Sequence, residues 1–385
     1  MTPQARAQAA IDILDEVIAA ARDAGAAADV IIQRYFKARR YAGSKDRRAV
    51  RALVYAAIRR AGERPESGRA ALVGLAEDQP EIAALFDGSV HAPSSIRADE
   101  PRAAAGQAPG WLAGRLDGLG LGDRAPLDLR VNRLKGRRED VHIEGAVPTP
   151  HAPDGLRLPE GMQVEQLPGW EAGLIEVQDE GSQLVTLACG AKPGMTVVDL
   201  CAGAGGKTLG LAAAMEECGR IIACDADRPR LSRLAPRAER AGVTIAETRL
   251  LDGGREGAAL VDLREAADLV VVDAPCSGTG TWRRNPEARW RLTPARIERV
   301  VALQTRLLDV AADLVKPGGT LMHIVCSLLD EEGPEQVSAF LARHPGWATR
   351  PIILPAGRPH GPGHRLTPVR DGTDGFFVAA LVRPC

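Results

Sequence analysis

Residues 196–208 read TVVDLCAGAGGKT: an apolar run, a glycine-rich loop, and then a lysine and a threonine. Glycines between a strand and a helix permit positive φ angles and a close approach of the backbone to a ligand, and the start of the helix offers free N–H groups. The loop therefore indicates a nucleotide-like ligand. It matches neither G-x-x-x-x-G-K-[ST] nor G-x-G-x-x-G, because in the second pattern Thr208 stands at the third glycine.

Further short apolar runs follow the first, and helical patterns separate them. The four runs are Thr196–Leu200, Arg220–Cys224, Leu269–Val272 and Thr320–Val325. Short, nearly continuous apolar runs that alternate with helices are typical of a parallel sheet covered on both faces. We therefore predict an α/β fold with a doubly wound, mostly parallel sheet, which would bind its ligands at the carboxyl ends of the strands.

Acidic residues follow three of the predicted strands. Asp225 lies about 20 residues after the glycine loop, where such folds bind ribose hydroxyls. Asp252 follows a further probable strand between the second and third of these runs and could hydrogen-bond an adenine amino group. Asp273 directly follows the run Leu269–Val272 and would point toward the ligand crevice. The alternatives are a helix N-cap, which suits Asp227 better than Asp225, and a simple turn residue for Asp252.

Two cysteines also stand after apolar strands, in Asp273-Ala274-Pro275-Cys276 and in Val325-Cys326-Ser327. Taken singly, each would more often be a small buried hydrophobic residue than a nucleophile. Their separation of 50 residues fits one crossover between adjacent parallel strands, which would bring both thiols to one crevice. The spacing alone is symmetric and does not assign different roles to the two thiols.

The rest of the chain divides at two changes of pattern. Helical periodicity runs from residue 3 to about 62 and recurs as far as residue 117, with Ser44 as an expected N-cap. From about 126 the residues alternate like strands, and from 173 strands alternate with helices. We predict a helical domain over 1–125, a small α+β subdomain over 126–172 and an α/β domain over 173–385.

The composition is that of a globular protein: 385 residues, 45% hydrophobic and 26% charged. No apolar stretch approaches the roughly 20 residues needed to span a bilayer. Seven cysteines without regular spacing and without a Cys-x-x-Cys pair favour reduced thiols in a cytosol and no metal site. We therefore expect a cytoplasmic protein with no membrane partner. The sequence does not derive an oligomeric state, and our expectation is a monomer.

The net charge of −1 hides local basic clusters. Because local charge rather than the total decides phosphate contact, these clusters are compatible with a nucleic-acid partner. The alternative for any one cluster is an ordinary solvated face. The residues that we predict to contact a phosphate backbone are Arg130, Asn132, Lys135, Arg283 and Arg284.

Several motifs follow one another in a fixed order. They are VQDEGSQ (177–183), the 199–208 loop, DAPCSGTG (273–280), RNP (284–286) before Trp290, VCS (325–327) and DGFF (374–377). With these motifs, residues 126–385 resemble the Sun-type (NOL1/NOP2/Sun) family of RNA 5-methylcytosine methyltransferases, and within it the bacterial RsmB branch that acts on small-subunit ribosomal RNA. Through residues 47–55, the helical segment resembles a NusB-like RNA-binding domain.

The resemblance implies a Rossmann-like core, S-adenosyl-L-methionine as cofactor and a single-stranded or loop RNA as substrate. It assigns Cys326 as the nucleophile that attacks carbon 6 of the cytosine, and Cys276 as the thiol that assists release. Asp273 would stabilise charge on the pyrimidine. Lys207 would supply part of the positive electrostatic field that stabilises the thiolate. The implied cofactor-binding residues are Cys201, Ala202, Gly203, Ala204, Gly205, Gly206, Lys207, Asp225, Asp252 and Asp273.

Two motifs depart from the family pattern. Gly203-Ala204 stands where the family has Ala-Pro, which keeps the later glycines and the lysine but changes the stiffness of the loop. Val325 stands where the family has threonine, which removes a hydroxyl next to the expected nucleophile.

Three alternatives remain open from the sequence. The first is a transfer-RNA or large-subunit ribosomal RNA methyltransferase of the same family. The second is a non-catalytic RNA-binding protein on this fold, which the presence of both thiols and the three acids disfavours. The third is a nicotinamide dehydrogenase, which lacks a histidine at a strand end because His323 lies inside a strand pattern.

Overall fold

The computed structural model describes residues 1–22 and 25–385. They form two compact units. The first comprises Met1–Arg124 together with Thr281–Pro294, and the second comprises Ala125–Gly280 and Ala295–Cys385. Residues 281–294 therefore belong to the helical unit, although the sequence predicted them to lie within the α/β domain.

The first unit is built from helices around an apolar core. The helices are α1 (Pro3–Arg22), α2 (Ala28–Ala38), α3 (Ser44–Arg60), α4 (Gly68–Asp78), α5 (Pro80–Ala83) and α6 (Gly110–Leu116). Apolar residues at helical spacing, such as Ala10, Leu14 and Val17, are fully buried. The expected N-cap at Ser44 is wrong: Gly43 precedes the helix, and its N–H donates to the Asp46 carboxylate (3.3 Å).

The inserted segment 281–294 completes this core with a buried arginine and a buried tryptophan. Arg289 donates hydrogen bonds to the carbonyl oxygens of Ile58 (2.5 Å) and Arg59 (2.8 Å), near the C-terminus of α3. Trp290 Nε1 donates to a third carbonyl oxygen, that of Ala61 (2.9 Å). Because the last carbonyls of a helix lack intrahelical partners, the inserted segment caps α3.

The second unit begins with a small antiparallel sheet. Its strands are β1 (Leu127–Val131), β2 (Val147–Pro148), β3 (Gly155–Leu158) and β4 (Ile175–Val177), in the order β2-β3-β1-β4. Leu129, Val131 and Ile175 form its buried apolar face. The fourth strand lies beyond the predicted subdomain boundary at residue 172.

The larger sheet of the second unit contains the predicted apolar runs. Its strands are β5 (Thr196–Asp199), β6 (Arg220–Asp225), β7 (Ala246–Leu250), β8 (Ala267–Asp273), β9 (Val315–Val325), β10 (Ala348–Arg350), β11 (Arg358–His360), β12 (Gly363–Leu366) and β13 (Phe376–Val382). The helices of this unit are α7 (Glu180–Ala188), α8 (Gly206–Ala214), α9 (Arg228–Leu231), α10 (Leu234–Ala241), α11 (Glu256–Ala259), α12 (Pro294–Leu314), α13 (Pro334–Arg343) and α14 (Pro368–Asp371).

The strand order is β11-β12-β13-β9-β8-β5-β6-β7, with β10 paired to β13. Strands β5 to β9 are parallel, whereas β13 is antiparallel to β9. Val197 and Val198 of β5 lie in two different apolar clusters, as expected for a sheet covered on both faces. The predicted α/β fold with a mostly parallel sheet is confirmed, and β5, β8 and β9 end at the same edge.

Within the described ranges, no helix is long and apolar enough to cross a membrane.

Candidate active site

The two predicted cysteines lie in contact. Cys326 directly follows β9, and Cys276 lies three residues beyond the end of β8, the parallel neighbour of β9. Their Sγ atoms are 3.4 Å apart, close enough for one thiol to donate a hydrogen bond to the other. The single crossover inferred from the 50-residue spacing therefore brings both thiols to one point at the carboxyl edge of the sheet.

A lysine–aspartate pair lies in the same site. Lys207, in the first turn of α8, places Nζ 2.7 Å from Oδ2 of Asp273, the last residue of β8. Burial lowers the pKa of Lys207, but Asp273 and the nearby Cys326 more than offset it, so the pKa of Lys207 is raised overall. Lys207 is therefore a fixed positive charge that acts on both Asp273 and Cys326.

The electrostatic surroundings distinguish the two thiols. The pKa of Cys276 is raised well above its usual value, first by its hydrogen bond to Cys326, then by burial and by the charges of Cys326 and Glu332. The raised pKa favours the thiol form of Cys276, which can donate a hydrogen bond to the Cys326 sulfur. Of the two sulfurs, that of Cys326 interacts electrostatically with Lys207.

The glycine loop joins β5 to α8 in a left-handed backbone conformation. Gly203 has φ +56° and Gly205 has φ +86°, a region that residues with a Cβ rarely adopt. The N–H of Gly203 donates to Asp225 Oδ2 (2.7 Å), and the N–H of Asp227 donates to Asp225 Oδ1 (2.7 Å). Asp225 at the end of β6 is therefore held beside the loop, where the sequence predicted a ribose-binding acid.

The departure at Gly203-Ala204 has a local structural consequence. A residue before proline is restricted to extended conformations, so the left-handed Gly203 is compatible with alanine rather than proline at position 204. The Ala204 carbonyl oxygen accepts a hydrogen bond from Arg237 Nη1 (2.6 Å), and that of Gly206 accepts one from Gln178 Nε2 (3.3 Å). These side chains restrain the loop where the proline ring is missing.

The second departure, Val325, lies on the face of the sheet opposite Cys326. Val325 is fully buried in one apolar cluster, whereas Cys326 packs against the cluster on the other face. Successive residues of a strand point to opposite faces, so a threonine hydroxyl at position 325 would enter the apolar core. The expectation that valine at position 325 removes a hydroxyl from beside the nucleophile is therefore wrong.

The DGFF motif supports the cysteine loop through backbone contacts. The N–H of Gly280 donates to the Cys326 carbonyl (3.0 Å), and the N–H of Gly375 donates to the Gly280 carbonyl (2.9 Å). A Cβ on Gly280 would lie 2.1 Å from the Gly375 carbonyl oxygen. Glycine at position 280 therefore allows the loop that bears Cys276 to pack against this motif.

Two buried carboxylates near the site were missed by the sequence reasoning. Asp199 ends β5, is fully buried and accepts a hydrogen bond from Thr208 Oγ1 (2.7 Å); burial raises its pKa to about 7. Glu332 is also fully buried and contacts both cysteine-bearing turns, through Ser277 and Ser327. For Asp199, the only sequence feature that could have indicated a site residue is an acid at the end of a strand. For Glu332, the sequence shows only the acidic run DEE.

Three further residues were predicted to bind the cofactor. The N–H of Ala202 donates to the Cys224 carbonyl oxygen (2.8 Å), which ties the loop to β6. Cys201 lies partly buried two residues beyond the end of β5, and burial raises its pKa well above the usual value, so it contributes a neutral thiol to the loop. Asp252 is exposed in the loop after β7, and in the described part of the chain its side chain has no hydrogen bond or ion pair. Its contact with a cofactor stays a prediction.

Three of the residues predicted to contact phosphate belong to the second unit. Their contacts within the protein favour structural roles for them. Arg130 is 7% exposed, and its guanidinium packs over Gly210; burial lowers its pKa to about 10. Asn132 is buried and donates to two carbonyl oxygens. Lys135 is exposed, but its ammonium donates to the carbonyl oxygens of Ala172 and Arg240 (both 2.7 Å).

The other two predicted phosphate contacts lie in the helical unit. Arg283 is 7% exposed, which does not favour a contact with RNA, and Arg284 is half-buried. For Arg284 the contact stays a prediction. Across residues 1–22 and 25–385, no group of three or more His, Cys, Asp or Glu side chains could hold a metal ion.

Comparison with known proteins agrees with this geometry. The family model described as 16S rRNA methyltransferase RsmB/F matches residues 186–382, just over half of the chain. The chain is 35% identical over 292 residues to ribosomal RNA small subunit methyltransferase B of Salmonella arizonae. That match covers 71% of this chain and 66% of the relative, so the chain spans slightly less than two thirds of the relative's length.

Solved structures share the fold. The crystal structure of PH0851 is 26% identical and superposes with a TM-score of 0.78 over 99% of both chains. A methyltransferase homolog protein from Pyrococcus horikoshii is 27% identical, with a TM-score of 0.59 over 71% of this chain and 91% of the other. The resemblance and the Rossmann-like fold inferred from the sequence are confirmed, and the chain belongs to the RsmB/F family of 16S rRNA methyltransferases.

Proposed function

We propose that this protein transfers a methyl group from S-adenosyl-L-methionine to carbon 5 of a cytosine in small-subunit ribosomal RNA, through a covalent adduct on Cys326. The observation that carries the proposal is the 3.4 Å contact between the sulfurs of Cys326 and Cys276, beside the Lys207–Asp273 pair. We also propose the cytoplasm as the place of this activity.

S-adenosyl-L-methionine is the cofactor of this family, and the residues present fit it. The Asp225 carboxylate is 8% exposed, and each oxygen accepts one backbone hydrogen bond, which leaves lone pairs for ribose hydroxyls. The loop from Cys201 to Lys207 would line the rest of the cofactor, and Asp252 would lie near its adenine base. When bound, the cofactor supplies a methyl group on a positively charged sulfur.

The first step forms a bond between the Cys326 sulfur and carbon 6 of the cytosine. This attack breaks the aromatic ring system and moves electron density to ring nitrogen 3 and carbon 5, so one difficult substitution becomes two easier steps. The Lys207 ammonium is held against Asp273 by a 2.7 Å ion pair, and one of its other N–H groups can donate a hydrogen bond to nitrogen 3 as negative charge develops there. Carbon 5 then forms a bond to the methyl group, whose bond to the positively charged sulfur breaks with the electron pair left on sulfur.

Release of the methylated RNA breaks the bond between Cys326 and carbon 6. The proton on carbon 5 leaves to a base, the double bond between carbons 5 and 6 forms again, and the Cys326 sulfur departs with the electron pair of the carbon–sulfur bond. Cys276 is held as a thiol 3.4 Å from that sulfur, so its S–H can donate a hydrogen bond to the departing thiolate. The two cysteines thus have different tasks in one site.

The helical unit presents a basic surface that suits an RNA backbone. Four basic side chains are exposed near the end of α2, in the connection that follows it and at the start of α3. We call this group the basic turn; it comprises Lys37, Arg40, Lys45 and Arg48. In the described residues none of these four has an ion-pair partner. Tyr41 in the same turn is 73% exposed and offers a ring for base stacking. We therefore propose that the helical unit binds RNA through the basic turn.

The covalent mechanism is tested with two variants. Cys326→Ala should abolish transfer of tritiated methyl groups from S-adenosyl-L-methionine to RNA, while the cofactor still binds with nearly unchanged affinity. Cys276→Ala should accumulate a protein–RNA adduct, visible as a slow band on a denaturing gel, because release is impaired. The exposed Cys218→Ala is the matched control. Methyl transfer by Cys326→Ala would refute the assignment of the nucleophile.

The substrate is tested separately. Bisulfite sequencing of RNA from cells that lack this protein should show loss of 5-methylcytosine at a position in small-subunit ribosomal RNA. Loss confined to transfer RNA or to large-subunit ribosomal RNA would overturn the proposed substrate without affecting the chemistry.

A further inference from the structure

We propose that Glu332 is a positioning residue whose buried carboxylate joins the two turns that carry Cys276 and Cys326. This inference rests on the proposed function, because its effect on catalysis is an effect on the two thiols. Glu332 ends the short 3-10 helix Asp330–Glu332 and has no accessible surface.

The Glu332 carboxylate receives four hydrogen bonds. Oε1 accepts from the backbone N–H of Ser277 (2.7 Å) and from Gln304 Nε2 (3.1 Å). Oε2 accepts from the hydroxyl of Ser277 and from Ser327 Oγ (2.5 Å). Ser277 directly follows Cys276, and Ser327 directly follows Cys326. One carboxylate therefore contacts the residue next to each thiol.

Neighbouring contacts make this connection rigid. Ser277 Oγ and Ser327 Oγ are 3.0 Å apart, so the two turns also meet directly. Gln304 of α12 donates at the same time to the Pro275 carbonyl (2.9 Å), the peptide immediately before Cys276. The backbone carbonyl of Glu332 accepts from Nε2 of the buried His323 (2.8 Å). The position of Glu332 is thus fixed from β9 and from α12.

Glu332 is an unusual group to bury. No lysine, arginine or histidine in the described chain forms an ion pair with its carboxylate, so hydrogen bonds alone offset the cost of burying it. A neutral side chain would fill the same space at a smaller desolvation cost. The negative charge of Glu332 also acts on the active site. Together with the Cys326 sulfur, it raises the pKa of the Cys276 thiol.

The test compares Glu332→Ala, Glu332→Gln and the control Glu335→Gln, which removes an exposed acid from the start of α13. Glu332→Ala should lower kcat about 100-fold, the scale expected for a displacement of about 1 Å at the reacting groups, with KM for RNA changed less than about twofold. Glu332→Gln keeps the size and an acceptor oxygen, so it should retain kcat within about tenfold. Glu335→Gln should behave like the native protein.

A second readout needs neither RNA nor cofactor. Iodoacetamide labelling of each cysteine, resolved by mass spectrometry across a pH series, reports thiolate formation at Cys276 and Cys326 separately. Glu332→Gln should move the labelling of Cys276 to lower pH, because the repelling charge is gone. Should the native protein show no methyl transfer, this labelling shift would still test Glu332. Unchanged labelling in Glu332→Gln together with unchanged kcat in Glu332→Ala would overturn the inference.

Discussion

Replacing Asp199 by asparagine should change the pH dependence of folding stability. Burial raises the pKa of this carboxyl to about 7, whereas in an unfolded chain it titrates near about 3.9. Between these two values the folded state keeps a proton that the unfolded state has lost. The folded state therefore binds more protons, and stability must fall as the pH rises from about 4 to about 7.

The magnitude follows from the difference between the two pKa values. One pKa unit corresponds to about 1.4 kcal/mol, so the full effect is about 4 kcal/mol, of which about 3 kcal/mol falls between pH 5 and pH 8. Asp199→Asn removes the titration and keeps an oxygen that can accept from Thr208 Oγ1. The free energy of unfolding of the variant should therefore rise relative to the native protein by about 3 kcal/mol over this range.

Urea unfolding followed by far-ultraviolet circular dichroism at several pH values measures this difference. Other titrating groups, such as the buried His323, contribute equally to both proteins and cancel in the comparison. Asp252→Asn, which removes an exposed acid, is the matched control and should leave the pH dependence unchanged. Parallel curves for Asp199→Asn and the native protein would refute the assigned pKa and its cause.

Three further predictions concern packing. Val325→Thr should lower the free energy of unfolding by about 1–3 kcal/mol in urea titrations, because a hydroxyl enters an apolar core, without raising kcat; a gain in kcat would contradict the placement. Gly280→Ala should reduce methyl transfer by about 100-fold or more, since its Cβ would lie 2.1 Å from the Gly375 carbonyl oxygen; native kcat would show that the loop adapts freely. Arg289→Met should destabilise the helical unit by about 3–5 kcal/mol in urea unfolding, because buried carbonyls lose their donors; a change below about 1 kcal/mol would contradict the cap.

Local sequence patterns determined the main parts of the second unit. The apolar runs predicted the parallel strands, because burial on both faces leaves few polar positions in a strand. The glycine loop predicted positive φ angles, which Gly203 and Gly205 adopt. Parallel strands place their ends at one edge, so the order of the motifs was enough to bring Cys276 and Cys326 together.

Tertiary structure decided which side chains are buried and what they contact. Arg130 looks like a surface charge in the sequence, yet it is buried against α8, and residues 281–294 fold with the helical unit. Glu332 reads as a solvated acid but accepts hydrogen bonds from Ser277, 55 residues earlier in the chain. A local pattern does not record such distant contacts. The sequence therefore determined the strands, the loop and the pair of thiols, whereas only the folded chain decided that the surroundings of the two thiols differ, because Lys207 and Glu332 reach them from separate segments.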